Sequence, residues 1–336
     1  MKAEDKHNRK KAISRYQFMR LVTGTDLSKR RIPIMMVDSG NPGPCVWMTA
    51  CIHGDEIAGT VIIQELFKLL KQELQYGKVL AFPIVNPFGF EQKTRVIPYS
   101  KEDLNRLFPG NVKGSLGERI AAIIFNKIIE DSPTLVLDLH NDWIRSIPYT
   151  LLDQDFAVGT HPGTIEKLKE YAFVLGFPVI LDTEQISGTL SGMLIKKGVP
   201  ALTLELGASN YVSEINIRQG VTAIMKLLAH IDLLKKDKNE TKERNRLQPG
   251  EILAYSQQPL SSTSGIIRFY TSAGNKVKSG QMIAKIFNAF GKMQEVLRAE
   301  NDGLVLGCSD TSLAFPGFPV MAFGINSRSN IKIGKQ

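Results

Sequence analysis

Only three cysteines, Cys45, Cys51 and Cys308, occur in 336 residues. They are too few and too scattered for a disulfide framework, which points to a reducing compartment. Long apolar runs are also missing, and none approaches the ~20 residues that a membrane span requires. The polar residues 1–11 are followed by a stretch, residues 13–22, that Arg15, Gln17 and Arg20 interrupt. This excludes the apolar centre of a secretory signal. A cytoplasmic protein with no membrane partner is the expectation. Acidic residues are outnumbered, 33 against 42 Lys and Arg, for a net charge of +9. Much of the excess sits in residues 2–31 and 235–246, which read as solvated segments rather than a binding surface. Basic runs interleaved with aromatics, which single-strand binders need, are absent, so no nucleic-acid partner is expected.

A hydrophobic content of 43% is enough for a sizeable core, and a length prior of roughly 150 residues per domain suggests two domains. Residues 32–37 and 45–51 are apolar runs bounded by turn residues and read as strands near the centre of a sheet. Ile57, Val61, Ile62, Leu66, Phe67, Leu69 and Leu70 recur at helical spacing, with Asp55 available as N-cap. Strands are expected at 78–85, 134–139, 178–181 and 201–206, and helices at 115–129, 164–175, 191–197 and 215–234. Residues 86–114 are too rich in Pro, Gly and charge to be one element, and a loop of that length is often functional. The alternation predicts an α/β fold, a mixed but mostly parallel sheet covered on both faces. Residues 235–246 are almost wholly polar. Beyond 250, short β-type runs separated by Gly, Asn and Ser turns predict a small all-β barrel or compact sandwich. The expected organisation is a basic extension (1–31), an α/β domain (32–234), a linker (235–249) and a β domain (250–336).

Chemistry concentrates at expected strand ends. His53 and Glu56, in Thr49-Ala50-Cys51-Ile52-His53-Gly54-Asp55-Glu56, lie at i and i+3 across a strand-to-helix turn and can aim into one cavity at the carboxyl edge of the sheet, where open α/β sheets bind ligands. His140 ends another strand. A catalytic zinc site uses three such protein donors and keeps one position open, so these three are the candidate metal ligands. Period two places Asp138 on the side of His140, as a partner for its ring. The plainer reading of His53 and Glu56 is a surface pair or a helix start. Glu205 lies in an apolar strand, where a carboxylate costs several kcal/mol to bury unless paired or working. A general base beside activated water accounts for it, and a structural ion pair is the alternative. In the long loop, Arg106 with Asn105 can grip a substrate carboxylate, and Arg95 can stabilise a developing oxyanion. Surface arginines are common and need no such role.

Taken in order, His53-Gly54-Asp55-Glu56, Asn86-Pro87 with Thr94-Arg95, Asp103-Leu104-Asn105-Arg106 with Phe108-Pro109-Gly110, Asp138-Leu139-His140 and Glu205-Leu206-Gly207 resemble the succinylglutamate desuccinylase/aspartoacylase family, of zinc carboxypeptidase-like fold. The match spans residues 32 to about 234. Residues 265–323 resemble the small lipoyl-type β domain of bacterial members. The resemblance implies one Zn2+ per chain on His53, Glu56 and His140, Glu205 as general base, Arg95 as carbonyl polariser, and Asn105 and Arg106 as carboxylate binders. It implies hydrolysis of a small-molecule N-acyl amino acid. Aspartoacylase has a further arginine shortly before its catalytic glutamate, and Ser191-Gly192-Met193-Leu194-Ile195-Lys196-Lys197 offers none. This argues against N-acetylaspartate and for other N-acyl amino acids. A peptidase acting on short peptides and a non-catalytic binding module are the competing readings. Lys292-Met293 reverses the Met-Lys order of lipoyl carriers, so the β domain is expected to cover the cleft or form a homo-oligomer interface.

Overall fold

The structure, a computed structural model, describes residues 12–24, 27–153, 162–183, 186–235 and 251–326. In chain order the first half comprises β1 (Ile13–Thr23), β2 (Lys29–Asp38), β3 (Cys45–Ala50), α1 (Ala58–Glu73), β4 (Lys78–Phe82), α2 (Pro87–Gln92), α3 (Leu116–Glu130), β5 (Leu135–His140), β6 (Arg145–Ser146) and β7 (Tyr149–Leu152). There follow α4 (Pro162–Leu175), β8 (Val179–Leu181), α5 (Leu190–Lys196), β9 (Ala201–Glu205) and α6 (Glu214–His230). The C-terminal strands are β10 (Ile252–Ser256), β11 (Gly265–Phe269), β12 (Lys276–Val277), β13 (Met282–Phe287), β14 (Met293–Arg298), β15 (Gly303–Cys308), β16 (Leu313–Ala314) and β17 (Met321–Ile325).

Every residue of β3 and β5 is buried, as a continuous apolar run in a sheet covered on both faces demands. With β4 and β9 they form a parallel centre in the order β4-β3-β5-β9. The helix α1 buries Ile62, Ile63, Leu66, Phe67 and Leu70 against it. Burying such side chains contributes about 1.5–3 kcal/mol each, and this shared core fixes the register that places the site. A capping box between Ser115 and Glu118 starts α3. The expected cap at Asp55 does not form: α1 begins at Ala58 with no side-chain cap from its own turn. The Ala58 N–H donates instead to the side-chain oxygen of Asn141, at 3.2 Å.

Two further departures from the sequence reading concern the sheet's margins. Residues 13–23 lie in the stretch read as a solvated basic extension, yet they form β1, the outermost strand, antiparallel to β2, which lies one strand in from that edge and not at the centre. At the other side, β10 pairs in parallel with β8, with Ile252 opposite Val179, and β17 and β15 continue from it. One layer of the C-terminal region is therefore an extension of a thirteen-stranded sheet, and β14-β13-β11-β16 form a separate antiparallel sheet. Ile267, Ile283, Ile286 and Leu297 from the small sheet pack with Val305, Met321 and Phe323 from the large one. This is a sandwich rather than a free barrel. The expected linker falls almost wholly outside the described residues.

Candidate metal and catalytic site

Because β3, β5 and β9 are parallel neighbours, their carboxyl ends share one edge. His140 stands opposite Glu205, and Ala50 opposite Leu139. Beyond β3 the chain reverses through Cys51, whose φ of 56° is unusual for a non-glycine residue, and delivers His53 and Glu56 to that edge. Gly54 permits the turn to lie against the loop. A Cβ there would come within 1.9 Å of the backbone carbon of Gly89, while the Gly54 N–H bonds the Thr94 oxygen at 3.0 Å. Asn86 caps α2 through the Gly89 N–H at 2.9 Å. This tight apposition brings Arg95 beside Glu56.

His53, Glu56 and His140 converge, each offering a donor atom within 4.8 Å of the others, and all three are buried. Nδ1 of His53 lies 2.6 Å from Glu56 Oε1, and Nδ1 of His140 lies 2.8 Å from Oε2. The outer nitrogens face carboxylates as well. His53 Nε2 is 3.1 Å from Asp103 Oδ1, and His140 Nε2 is 2.9 Å from Asp138 Oδ2. Thr49 in turn donates to Asp138 at 2.6 Å. A proton held on each outer nitrogen leaves the inner lone pairs free, the arrangement by which carboxylates orient metal-ligating imidazoles. Two imidazoles and one carboxylate are a donor set that suits zinc, so these residues fit a catalytic metal and could hold one.

The electrostatics agree with a site that attracts positive charge. Burial pushes the Glu56 carboxyl up, but the facing imidazoles of His53 and His140 outweigh it and hold the group well below the usual range. Burial pulls His140 down, and Asp138 and Glu56 more than reverse this, raising it well above an ordinary histidine. Asp103 is held low against its own burial by His53, Arg95 and Arg106.

Glu205 behaves oppositely. Burial drives its carboxyl well above the ordinary value, with His140 opposing and Asp142 and Glu56 adding to the rise. Its Oε2 is buried and has no hydrogen-bond partner. The structural ion pair considered above would have supplied one. Arg95 is nearly half exposed and donates from Nε to Asp103 Oδ2 at 3.1 Å, with a longer contact of 3.4 Å to Glu56 Oε1. Asn105 is buried and its side-chain oxygen is committed to the Leu190 N–H at 2.9 Å, which leaves its amide N–H group for a ligand. Arg106 is exposed and donates to the Asn105 carbonyl at 2.8 Å.

Three residues emerge to which the sequence reading gave no role. Asp103 bridges His53 and Arg95 and accepts the Asn105 N–H at 2.9 Å. Asn141 joins the start of α1, Glu56 Oε2 (3.1 Å to its backbone N–H) and the Gly207 carbonyl. Asp142 accepts from the Tyr149 hydroxyl at 2.9 Å, and burial pushes its carboxyl up to about 6. Their common sequence signal is proximity to a candidate site residue, Asn105 for Asp103 and His140 for the other two, and polarity alone could not separate such neighbours from surface residues.

Known proteins resemble this chain in sequence and in fold. The sequence model for the succinylglutamate desuccinylase/aspartoacylase catalytic domain covers residues 42–231. The N-alpha-acetyl-L-2,4-diaminobutyric acid deacetylase of Halomonas elongata is 26% identical over 286 residues, 82% of this chain and 80% of that one. Among solved structures, a succinylglutamate desuccinylase/aspartoacylase from Rhodobacter sphaeroides aligns with a TM-score of 0.78 at 21% identity, covering 97% of this chain and 99% of its own. The product-bound ectoine utilization protein EutE (DoeB) of Ruegeria pomeroyi aligns with a TM-score of 0.77 at 20% identity, covering 94% and 96%. These structures share the fold, and the match to the catalytic-domain model spans more than half of the sequence. The chain belongs to the succinylglutamate desuccinylase/aspartoacylase family.

Proposed function

We propose that the protein is a zinc-dependent amidohydrolase that removes the acyl group from an N-acyl amino acid. The observation that carries this reading is the juxtaposition of a buried His53–Glu56–His140 donor set with a buried, unpartnered oxygen of Glu205 on the neighbouring strand. Zinc held by the three donors supplies a Lewis acid that polarises a carbonyl and makes water acidic near neutral pH. Glu205 takes a proton from the attacking water at its free oxygen and returns it to the departing nitrogen. Such a relay contributes roughly 10²–10⁴-fold, and burial holds the Glu205 carboxyl above its ordinary value. The Arg95 guanidinium, reachable from solvent, balances charge developing on the amide oxygen. The Asn105 amide and Arg106 hold the substrate carboxylate. Asp103 and Asp138 keep the two imidazoles in the required tautomer.

The relative from Halomonas elongata acts, by its name, on N-acetyl-diaminobutyrate. Together with the lack of arginine in residues 190–196, this favours an N-acyl amino acid other than N-acetylaspartate. The test is a hydrolysis screen of N-acetyl and N-succinyl amino acids beside short peptides. Release of carboxylic acid and free amino acid from the first group is the expected result. Release of C-terminal residues from peptides alone would overturn the reading in favour of a peptidase.

A further inference from the structure

The strand β1 is the outermost strand of the thirteen-stranded sheet. It pairs with β2 along one side, and among the described residues nothing pairs with its other side. One residue reveals which backbone groups face that open side. Phe18 stands opposite Pro33, which has no N–H to give, so this cannot be a pair that exchanges hydrogen bonds. In an antiparallel ladder, hydrogen-bonded and non-hydrogen-bonded pairs alternate. The N–H and C=O groups of Ser14, Tyr16, Phe18 and Arg20 therefore point away from β2. Natural edges are commonly blunted by charged side chains, lysine above all, by proline or by a bulge. Residues 13–20 contain neither lysine nor proline, and their two charges, Arg15 and Arg20, flank an uncharged stretch from Tyr16 to Met19; the irregularity in the ladder comes only after Arg20. The side chains of Tyr16 and Phe18 lie 60% and 68% exposed on one face of this regular stretch.

We infer that this edge is the contact with a second copy of the chain, β1 pairing antiparallel with the partner's β1 about a two-fold axis at Gln17. The register follows from matching groups. Outward-pointing residues must oppose outward-pointing residues, which requires even-numbered positions to face even-numbered ones and also keeps Arg15 from facing Arg20. Centring on Gln17 joins Tyr16 to Phe18 twice and Ser14 to Arg20 twice, and sets Arg15 against Met19. Four pairs then exchange hydrogen bonds within the regular stretch, whereas centring one residue to either side leaves three. Cross-strand aromatic pairs of this kind stabilise antiparallel sheets, and no like charges stand directly opposite. A second feature agrees. A groove lined by Leu21, Leu116 and Ile123 flanks the end of the same strand. In this register the partner's copy of Ile13, a residue 52% exposed in the single chain, arrives opposite Leu21.

Sedimentation velocity of the full, metal-loaded chain across the micromolar range tests the proposal. The expected result is a reversible dimer. Phe18→Pro removes an outward N–H without touching a bond to β2, as prolines on edge strands do, and raises the dissociation constant roughly tenfold or more, 1.4 kcal/mol per decade. Directly opposed, non-hydrogen-bonded residues have Cα atoms about 4.5 Å apart, within disulfide range. Gln17→Cys therefore cross-links two chains on mild oxidation and Phe18→Cys does not, the native cysteines being buried. If Phe18→Pro fails to fold, judged by its thermal melt, the cysteine pair decides. A chain monomeric throughout would overturn the proposal, as would a dimer indifferent to Phe18→Pro that Gln17→Cys fails to cross-link. Cross-linking at position 18 but not 17 would refute the register.

Discussion

Replacing Asp103 by asparagine isolates the role of the carboxylate that joins His53 to Arg95. The aspartate makes three contacts, 3.1 Å to His53 Nε2, 3.1 Å to Arg95 Nε and 2.9 Å to the Asn105 N–H. Asparagine can keep its oxygen on His53 and the Asn105 N–H, but its amide group then faces the Arg95 N–H, donor against donor. The variant also removes the negative charge that keeps a proton on the outer nitrogen of His53. Partners of this kind typically change metal affinity by 10–100-fold, about 1.4–2.8 kcal/mol at 1.4 kcal/mol per decade. Fold stability should change far less, since Arg95 is nearly half exposed and can turn to solvent. The assay is competition for zinc against a chelator at pH 7, with turnover measured at saturating metal to separate the Arg95 effect. Wild-type affinity together with wild-type turnover would refute the reasoning that Asp103 organises both groups.

Glu205→Gln should lower turnover roughly 10²–10⁴-fold while metal content by elemental analysis stays at one ion per chain; substantial activity would remove Glu205 from the mechanism. Asn141→Ala strips partners from the buried Ala58 N–H and the Gly207 carbonyl. At about 1–3 kcal/mol for each orphaned group, urea unfolding of the metal-free protein should show a loss of about 2 kcal/mol or more. The Lys78–Asp131 pair, at 2.9 Å, gives a pH prediction. Burial pushes Asp131 up, but Lys78 and Lys127 hold it below its ordinary value. Its contribution is therefore complete above the unfolded carboxyl pKa of about 3.9 and fades as pH falls through the lower, folded value. Wild type should exceed Asp131→Asn in stability near neutral pH, and the difference should vanish in strong acid; a difference that grows with acidification would reverse the sign of the argument.

The parallel centre was legible because β3, β5 and β9 are apolar runs ending in chemistry: His53 just beyond β3, His140 at the end of β5 and Glu205 at the end of β9. Period two was enough to set Asp138 beside His140, where the structure has it bonded to Nε2. What stayed hidden depended on contacts distant in sequence. Asp55 has the right chemistry for an N-cap, yet Asn141, 83 residues from Ala58, takes the helix N–H. In β1, alternating polar and aromatic residues obscure a strand that buries little of itself, and its pairing depends on β2 for a template. The merger of β10 with β8 joins segments on either side of the polar stretch 235–249, and no local pattern marks that continuity. Asn105 shows the limit of motif reading. Its side-chain oxygen anchors the start of α5, so a residue read as a substrate contact also holds the loop in place.

The central claim is that the convergence of His53, Glu56, His140 and Glu205 makes a zinc-dependent acyl-amide hydrolase. It is tested most directly by assaying N-acyl amino acid hydrolysis with the chain stripped of metal and then reloaded with one zinc equivalent, beside Glu205→Gln treated identically. The prediction is turnover that appears only on reloading and only with Glu205 intact. Equal hydrolysis with and without zinc, or none by a fully loaded chain on any N-acyl amino acid, would contradict it.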